Sequence, residues 1–164
     1  MLGIILLYVG AVLLINGVGA LGHAERRSIA VLNLLVGGLA LVIQLIGLFR
    51  ATTPTDFYLV ATGFLFTFTY LYGGICGWFD LDMRAFGWFC LFVAITTLPC
   101  AWVASQGPDQ RFTWLWLIWG VLWFMFYLAY VPARQFGRLL PGATIAVGIL
   151  TCWIPGLMML TGHW

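Results

Sequence analysis

The sequence contains no lysine, and its seven arginines and five acids leave only 7% of its 164 residues charged. Soluble domains ordinarily carry about 25%. The charges lie in short islands around Arg26, Arg50, Asp82, Arg111 and Arg134, and none occupies the middle of an apolar stretch. That absence excludes whole classes of function. Proton pumps, ion-coupled transporters and voltage sensors place ionisable groups at depth, because they bind or move charge. Ion channels show rings of charge or a carbonyl filter motif, and neither is present. The only histidines, His23 and His163, are far apart and near span ends, so no zinc or haem ligand set is visible. Cys76, Cys90, Cys100 and Cys152 lack CxxC spacing and read as buried structural thiols. No nucleophile stands beside a base, as a membrane hydrolase would require. The chain is expected to be no enzyme, with no catalytic residue, metal or cofactor.

What is present is apolar: 63% of residues are hydrophobic and 17% are aromatic. The stretches between charge islands are roughly 20 residues long, enough to cross a hydrocarbon core of ~30 Å. Six spans are expected, at Leu2–Leu21, Ile29–Phe49, Phe57–Phe79, Phe86–Ala104, Phe112–Val131 and Leu139–Gly162. The first has no basic n-region and no convincing cleavage site, so it reads as a retained span rather than a signal peptide. The fold class is an all-α integral membrane protein, a single domain over residues 1–164. No loop could hold a soluble domain, so any activity must reside within the membrane. The first, third and fifth loops hold Arg26, Arg27, Arg84, Arg134 and Arg138, against Arg50 and Arg111 in the second and fourth. By the positive-inside rule the odd loops are cytoplasmic and both termini lie outside.

A weak internal repeat is visible. Each odd span carries a mid-depth polar or aromatic group (Asn16, Tyr70, Trp119), and small-residue breaks recur about every 55 residues at Val36-Gly37-Gly38, Val93-Ala94 and Val147-Gly148. Three tandem helical hairpins in one orientation would give this pattern. Pro99 and Pro155 predict kinks with locally freed carbonyls.

The fifth span, read from Thr113 as TWLWLIWGVLWFMFYLAY, carries Trp116, Trp119, Trp123, Tyr127 and Tyr130 at spacings of three and four. Helical geometry puts these rings on one face. Trp114 and Tyr130 read as interfacial belt residues. Trp119 and Trp123 are too deep for a belt, and either fill the bundle core or line a passage. The neutral polar residues, among them Asn16, Asn33, Gln44, Thr67, Thr69, Thr97, Thr144 and Thr151, read most simply as interhelical hydrogen-bond glue worth about 0.6 kcal/mol each. A passage lined by rings and aliphatics would reject ions, which face an uncompensated desolvation cost. A planar amide could stack between ring faces and hydrogen-bond in plane to indole N–H, phenol O–H or backbone carbonyls.

The strings MLGIILLYVGAVLLINGVG, AVLNLLVGGL, TGFLFTFTYLY, GWFCLFVAIT, WLIWGVLWF and ILTCWIPGLMML, in all six spans and in order, resemble the urea/amide channel family (UreI/AmiS). The resemblance implies a pseudo-threefold array of hairpins, a pore within each protomer, and a hexameric ring around a lipid-filled centre. It implies passive flux of urea or short aliphatic amides across the bacterial inner membrane, feeding a cytoplasmic amidase or urease. The matching pore positions are Ile5, Leu6, Val9, Leu13 and Asn16 in the first span, Phe66 and Tyr70 in the third, and Trp116, Trp119, Leu122 and Trp123 in the fifth. Tyr70, Trp119 and Trp123 would form an inner aromatic constriction; Trp116, Phe66 and the first-span aliphatics would form an outer one. Acid-gated members carry a glutamate where this chain has Val147, and histidines in long external loops. Here Arg50–Asp56 and Ser105–Arg111 are short and free of histidine, the side chain that titrates near pH 6. The resemblance therefore points to an amide channel or a urea channel without proton gating. The competing reading is a structural or sensory membrane subunit whose aromatic stripe is only a helix interface.

Overall fold

The computed structural model describes residues 1–164, and every regular element is helical. Six helices are long and apolar enough to cross a membrane. They are α1 (Leu2–Ala20), α2 (Arg26–Arg50), α3 (Pro54–Phe79), α4 (Arg84–Ser105), α5 (Arg111–Tyr130) and α6 (Leu139–Leu160). α2, α3 and α4 begin two or three residues before the apolar stretches that announced them. Hydropathy marks where lipid begins, whereas the backbone stays helical through the polar interface.

Local chemistry fixes several ends. Thr53 caps α3, its hydroxyl accepting from the Asp56 N–H at 3.2 Å while the Asp56 carboxylate accepts from the Thr53 N–H at 2.9 Å. Pro54 follows at the first helical position, where its missing N–H costs nothing. α3 stops at Asp80 in a left-handed conformation (φ 55°), and the Asp80 carboxylate pairs with Arg26 at the start of α2.

α6 is not a uniform α-helix. Between Gly148 and Trp153 it widens into a π-helical turn, then resumes at Ile154. Pro155, just beyond it, contributes: it has no N–H to offer, and its ring would clash with the carbonyl four residues earlier. A wider turn takes in the mismatch. Pro99 also lies inside its helix, without interrupting α4.

The helices pack tightly in three pairs: α2 with α3, α4 with α5, and α6 with α1. The first two pairs are joined by the short even loops, and the third is closed by the two ends of the chain. Each pair approaches over glycine. A methyl group on Gly37 would stand 2.8 Å from Leu71, one on Gly10 2.5 Å from the Trp153 backbone, and one on Gly120 would strike the Thr97 hydroxyl. Small residues at such positions let membrane helices draw close enough for dispersion to hold them. Contacts between neighbouring pairs are sparser, and the odd helices α1, α3 and α5 turn inward there. A core cluster including Leu6, Val9, Phe66, Tyr70, Trp119 and Trp123 fills the middle. All four cysteines are buried and unpaired.

Candidate functional site: an aromatic neck above a vestibule

A cavity of about 660 Å³ enters the bundle from the end that carries the odd loops, Arg26 and Arg134 among its lining. At ~30 Å³ per water it has room for some twenty molecules, which makes it a vestibule rather than a packing fault. Its closed end is a neck of Leu13, Phe66, Trp119, Leu122 and Trp123. Farther from the neck it is lined by Asn16, Asn33, Tyr70, Phe86, Phe126, Tyr130 and Thr144.

The neck is built from ring edges. Phe66 meets Trp119 at 5.0 Å between centroids with planes at 87°, and meets Trp123 at 5.0 Å and 63°. Trp116 lies against Trp119 at 5.4 Å and 84°, and against Phe66 at 6.0 Å. Such edge-to-face pairs add roughly 0.5–1.5 kcal/mol each beyond burial and fix ring orientation. α5 supplies the three indoles because their spacing of three and four keeps them on one side of the helix.

Both neck indoles have committed N–H groups. Trp119 Nε1–H donates to Thr151 Oγ1 at 2.9 Å, and Trp123 Nε1–H donates to Thr69 Oγ1 at 3.2 Å. Thr151 itself donates to the Val147 carbonyl at 2.6 Å, and Thr69 to the Leu65 carbonyl at 2.7 Å. Thr151 sits in the π-helical turn of α6, so the widened turn is what carries its hydroxyl to Trp119. The neck therefore presents ring faces and edges without indole donors. Tyr70, 3% exposed, lines the cavity from α3, and its hydroxyl makes no hydrogen bond within the protein, leaving one phenolic group free to meet a solute.

The residues singled out from sequence divide into two sets. Leu13, Asn16, Phe66, Tyr70, Trp119, Leu122 and Trp123 meet around the cavity. Ile5, Leu6 and Val9 are buried in the core beyond the neck, and the cavity does not reach them or Trp116. Trp114 is two-thirds exposed, in the first turn of α5 and away from the cavity. Tyr130 is instead on the cavity wall, its ring 5.8 Å from Phe86. Tyr127 leaves the stripe and packs on Trp88 of α4 at 5.2 Å. Thr69, Thr151 and Asn33 were legible only as generic polar residues. For Asn33 a sharper signal existed: it and Asn16 stand at similar distances on either side of one short loop, hence at similar depth.

At the opposite end Trp164 closes on the fourth loop. Its Nε1–H donates to Asp109 at 2.8 Å, its ring lies tilted against Phe112 at 5.6 Å and 55°, and the Arg111 guanidinium lies 4.1 Å above it. Arg111 also binds Asp109 at 2.7 Å, and that hydrogen bond, ahead of the one from Trp164, holds the Asp109 carboxyl below its ordinary pKa.

The chain is similar along its length to known membrane proteins. A sequence profile described as AmiS/UreI family transporter matches residues 1–163. The chain is 37% identical to the acid-activated urea channel of Helicobacter pylori, over an alignment of 194 positions covering all of both proteins. It is 39% identical to a putative transporter protein AmiS2 of Rhodococcus erythropolis, covering 96% of this chain and 78% of that one. The electron cryo-microscopy structure of the Helicobacter pylori urea channel in its closed state superposes with a TM-score of 0.91 at 40% identity, covering both chains fully. These relatives are channels and transporters, not enzymes.

Proposed function

The chain belongs to the AmiS/UreI family of transporters, and from that premise we propose that it is a passive pore for small neutral amides, urea and acetamide-like molecules included. The observation that carries the reading is the neck. Trp119 and Trp123 stand edge-on to Phe66 with their N–H groups tied to threonines, and the vestibule below them is lined without a buried charge. An ion entering that neck finds nothing to replace its hydration shell. A planar amide keeps dispersion contact with the rings on both faces and exchanges hydrogen bonds one at a time, first with Tyr70.

Within this reading Leu13, Asn16, Phe66, Tyr70, Trp119, Leu122 and Trp123 line the path, while Ile5, Leu6, Val9 and Trp116 shape its continuation beyond the neck. The excess of arginines in the odd loops supports a cytoplasmic vestibule with both termini outside. Six protomers assemble into a ring around lipid, and a cytoplasmic amidase or urease consumes the solute. Acid gating is absent: Val147 has no titratable group, and the alignment with the acid-activated relative is longer than this chain, so that relative carries segments missing here.

The test is solute flux into proteoliposomes, followed by stopped-flow light scattering with urea and acetamide in parallel. Accelerated entry over empty liposomes, altered by Trp123→Ala in an oligomer that still assembles, is the expected result. Entry no faster than the lipid leak would instead make the stripe a helix interface.

A further inference from the structure

Below the neck, Asn16 of α1 and Asn33 of α2 face each other on the cavity wall and hydrogen-bond reciprocally. Asn33 Nδ2–H donates to Asn16 Oδ1 at 2.7 Å, and Asn16 Nδ2–H donates to Asn33 Oδ1 at 3.1 Å. The two side chains thus form a closed ring of paired primary amides. Asn33 spends its second N–H on the Ile29 carbonyl of its own helix at 2.9 Å and is only 7% exposed. Asn16 has no further partner. By the donor and acceptor inventory of an amide, one N–H of Asn16 and one lone pair on each carbonyl oxygen remain unspent.

Those unspent groups are a donor beside acceptors, which is the complement of a solute whose C=O and N–H point the same way. Leu13 of the neck is one helical turn from Asn16, about 4.5 Å along α1. A solute leaving the rings and Tyr70 therefore meets the pair as the next polar surface, on the α1 side of the cavity. It can also exchange with one member of the ring, since the replaced bond is of the same kind as the bond formed. We infer that Asn16 and Asn33 together form a docking station that selects solutes by a syn arrangement of C=O and N–H. Asn33 is then a specificity-determining residue that fixes Asn16, and the inference rests on the channel reading above.

A pair of solutes isolates the claim. Acetamide carries an N–H syn to its carbonyl. N-methylacetamide holds its single N–H anti, because the cis form of a secondary amide costs ~2.5 kcal/mol. The experiment measures both fluxes in proteoliposomes for the wild type, Asn33→Leu and Asn16→Ala. The expected result is a fall of threefold or more in the acetamide to N-methylacetamide ratio in each variant. Asn16→Ala, at the partly exposed member, supplies the readout if Asn33→Leu fails to assemble. A wild-type ratio in an assembled variant overturns the station and reduces the pair to interhelical glue. A wild-type protein inert to both solutes overturns the channel reading itself, a distinguishable failure.

Discussion

Replacing Thr151 by valine keeps the shape of the side chain and deletes the acceptor of the Trp119 indole N–H, 2.9 Å away. Trp119 is only 4% exposed, so no bulk water stands ready to take the hydroxyl's place. A buried donor left without a partner costs about 1–3 kcal/mol. Against that stand the two edge-to-face contacts of the ring, with Phe66 and with Trp116, at roughly 0.5–1.5 kcal/mol each. The two quantities are comparable. The ring can keep its place with an orphaned N–H or turn away and lose its neighbours, and neither state dominates as the native one does now. A shift of ~1 kcal/mol changes the population of a conformer about fivefold. We therefore expect Thr151→Val to slow acetamide flux by about two- to tenfold, in protein that assembles and is destabilised by about 1–3 kcal/mol or less. Thr151→Ser, which retains the hydroxyl, should stay near the wild-type rate. Stopped-flow light scattering on proteoliposomes of matched protein content measures the flux, and a thermal melt in detergent follows assembly. Wild-type flux and stability in Thr151→Val would refute the reasoning, because the indole would then need no partner.

Two further outcomes are expected. Gly120→Ala would press a methyl group onto Thr97, which is 1% exposed, and such overpacking costs about 1–3 kcal/mol; a thermal melt should show the loss, and adding Thr97→Ala should recover most of it. Flux should change little between about pH 5 and pH 7.5: the Asp109 carboxyl has a lowered pKa, so its bonds to Arg111 and Trp164 contribute stability above the ordinary aspartate value near 3.9 and lose it only as pH falls through the lower folded value. A pH series in the same flux assay checks this, and steep activation near pH 6 would contradict it.

Much of the architecture was legible because lipid imposes it. Six apolar stretches must be six helices, since an unpaired backbone cannot sit in hydrocarbon, and the α5 stripe fixed which face carried the rings. The pairing of helices was harder to read. Glycine at 10, 37 or 120 marks a close approach without naming the neighbour, and the neighbour of α1 turned out to be α6. The neck's hydrogen bonds were hidden for the same reason. Thr69 and Thr151 look like any membrane threonine until Trp123 and Trp119, 54 and 32 residues away, are set against them. The π-helical turn needed more than a proline, because Pro99 sits in α4 without producing one.

The packing of α6 onto α1 also bears on how the protein is made. α2 and α3 can join as soon as both have entered the bilayer, and so can α4 and α5, because each pair is a local hairpin. α1 precedes the other five helices yet finds its tightest partner in the last of them. Until α6 docks, the Gly10 and Gly17 surface that will receive Trp153 and Ile145 lacks the partner it has in the folded protein. The ring of helices thus has a seam that closes only once α6 is in place. The vestibule wall is unfinished until that moment, so an incomplete chain cannot hold the neck together.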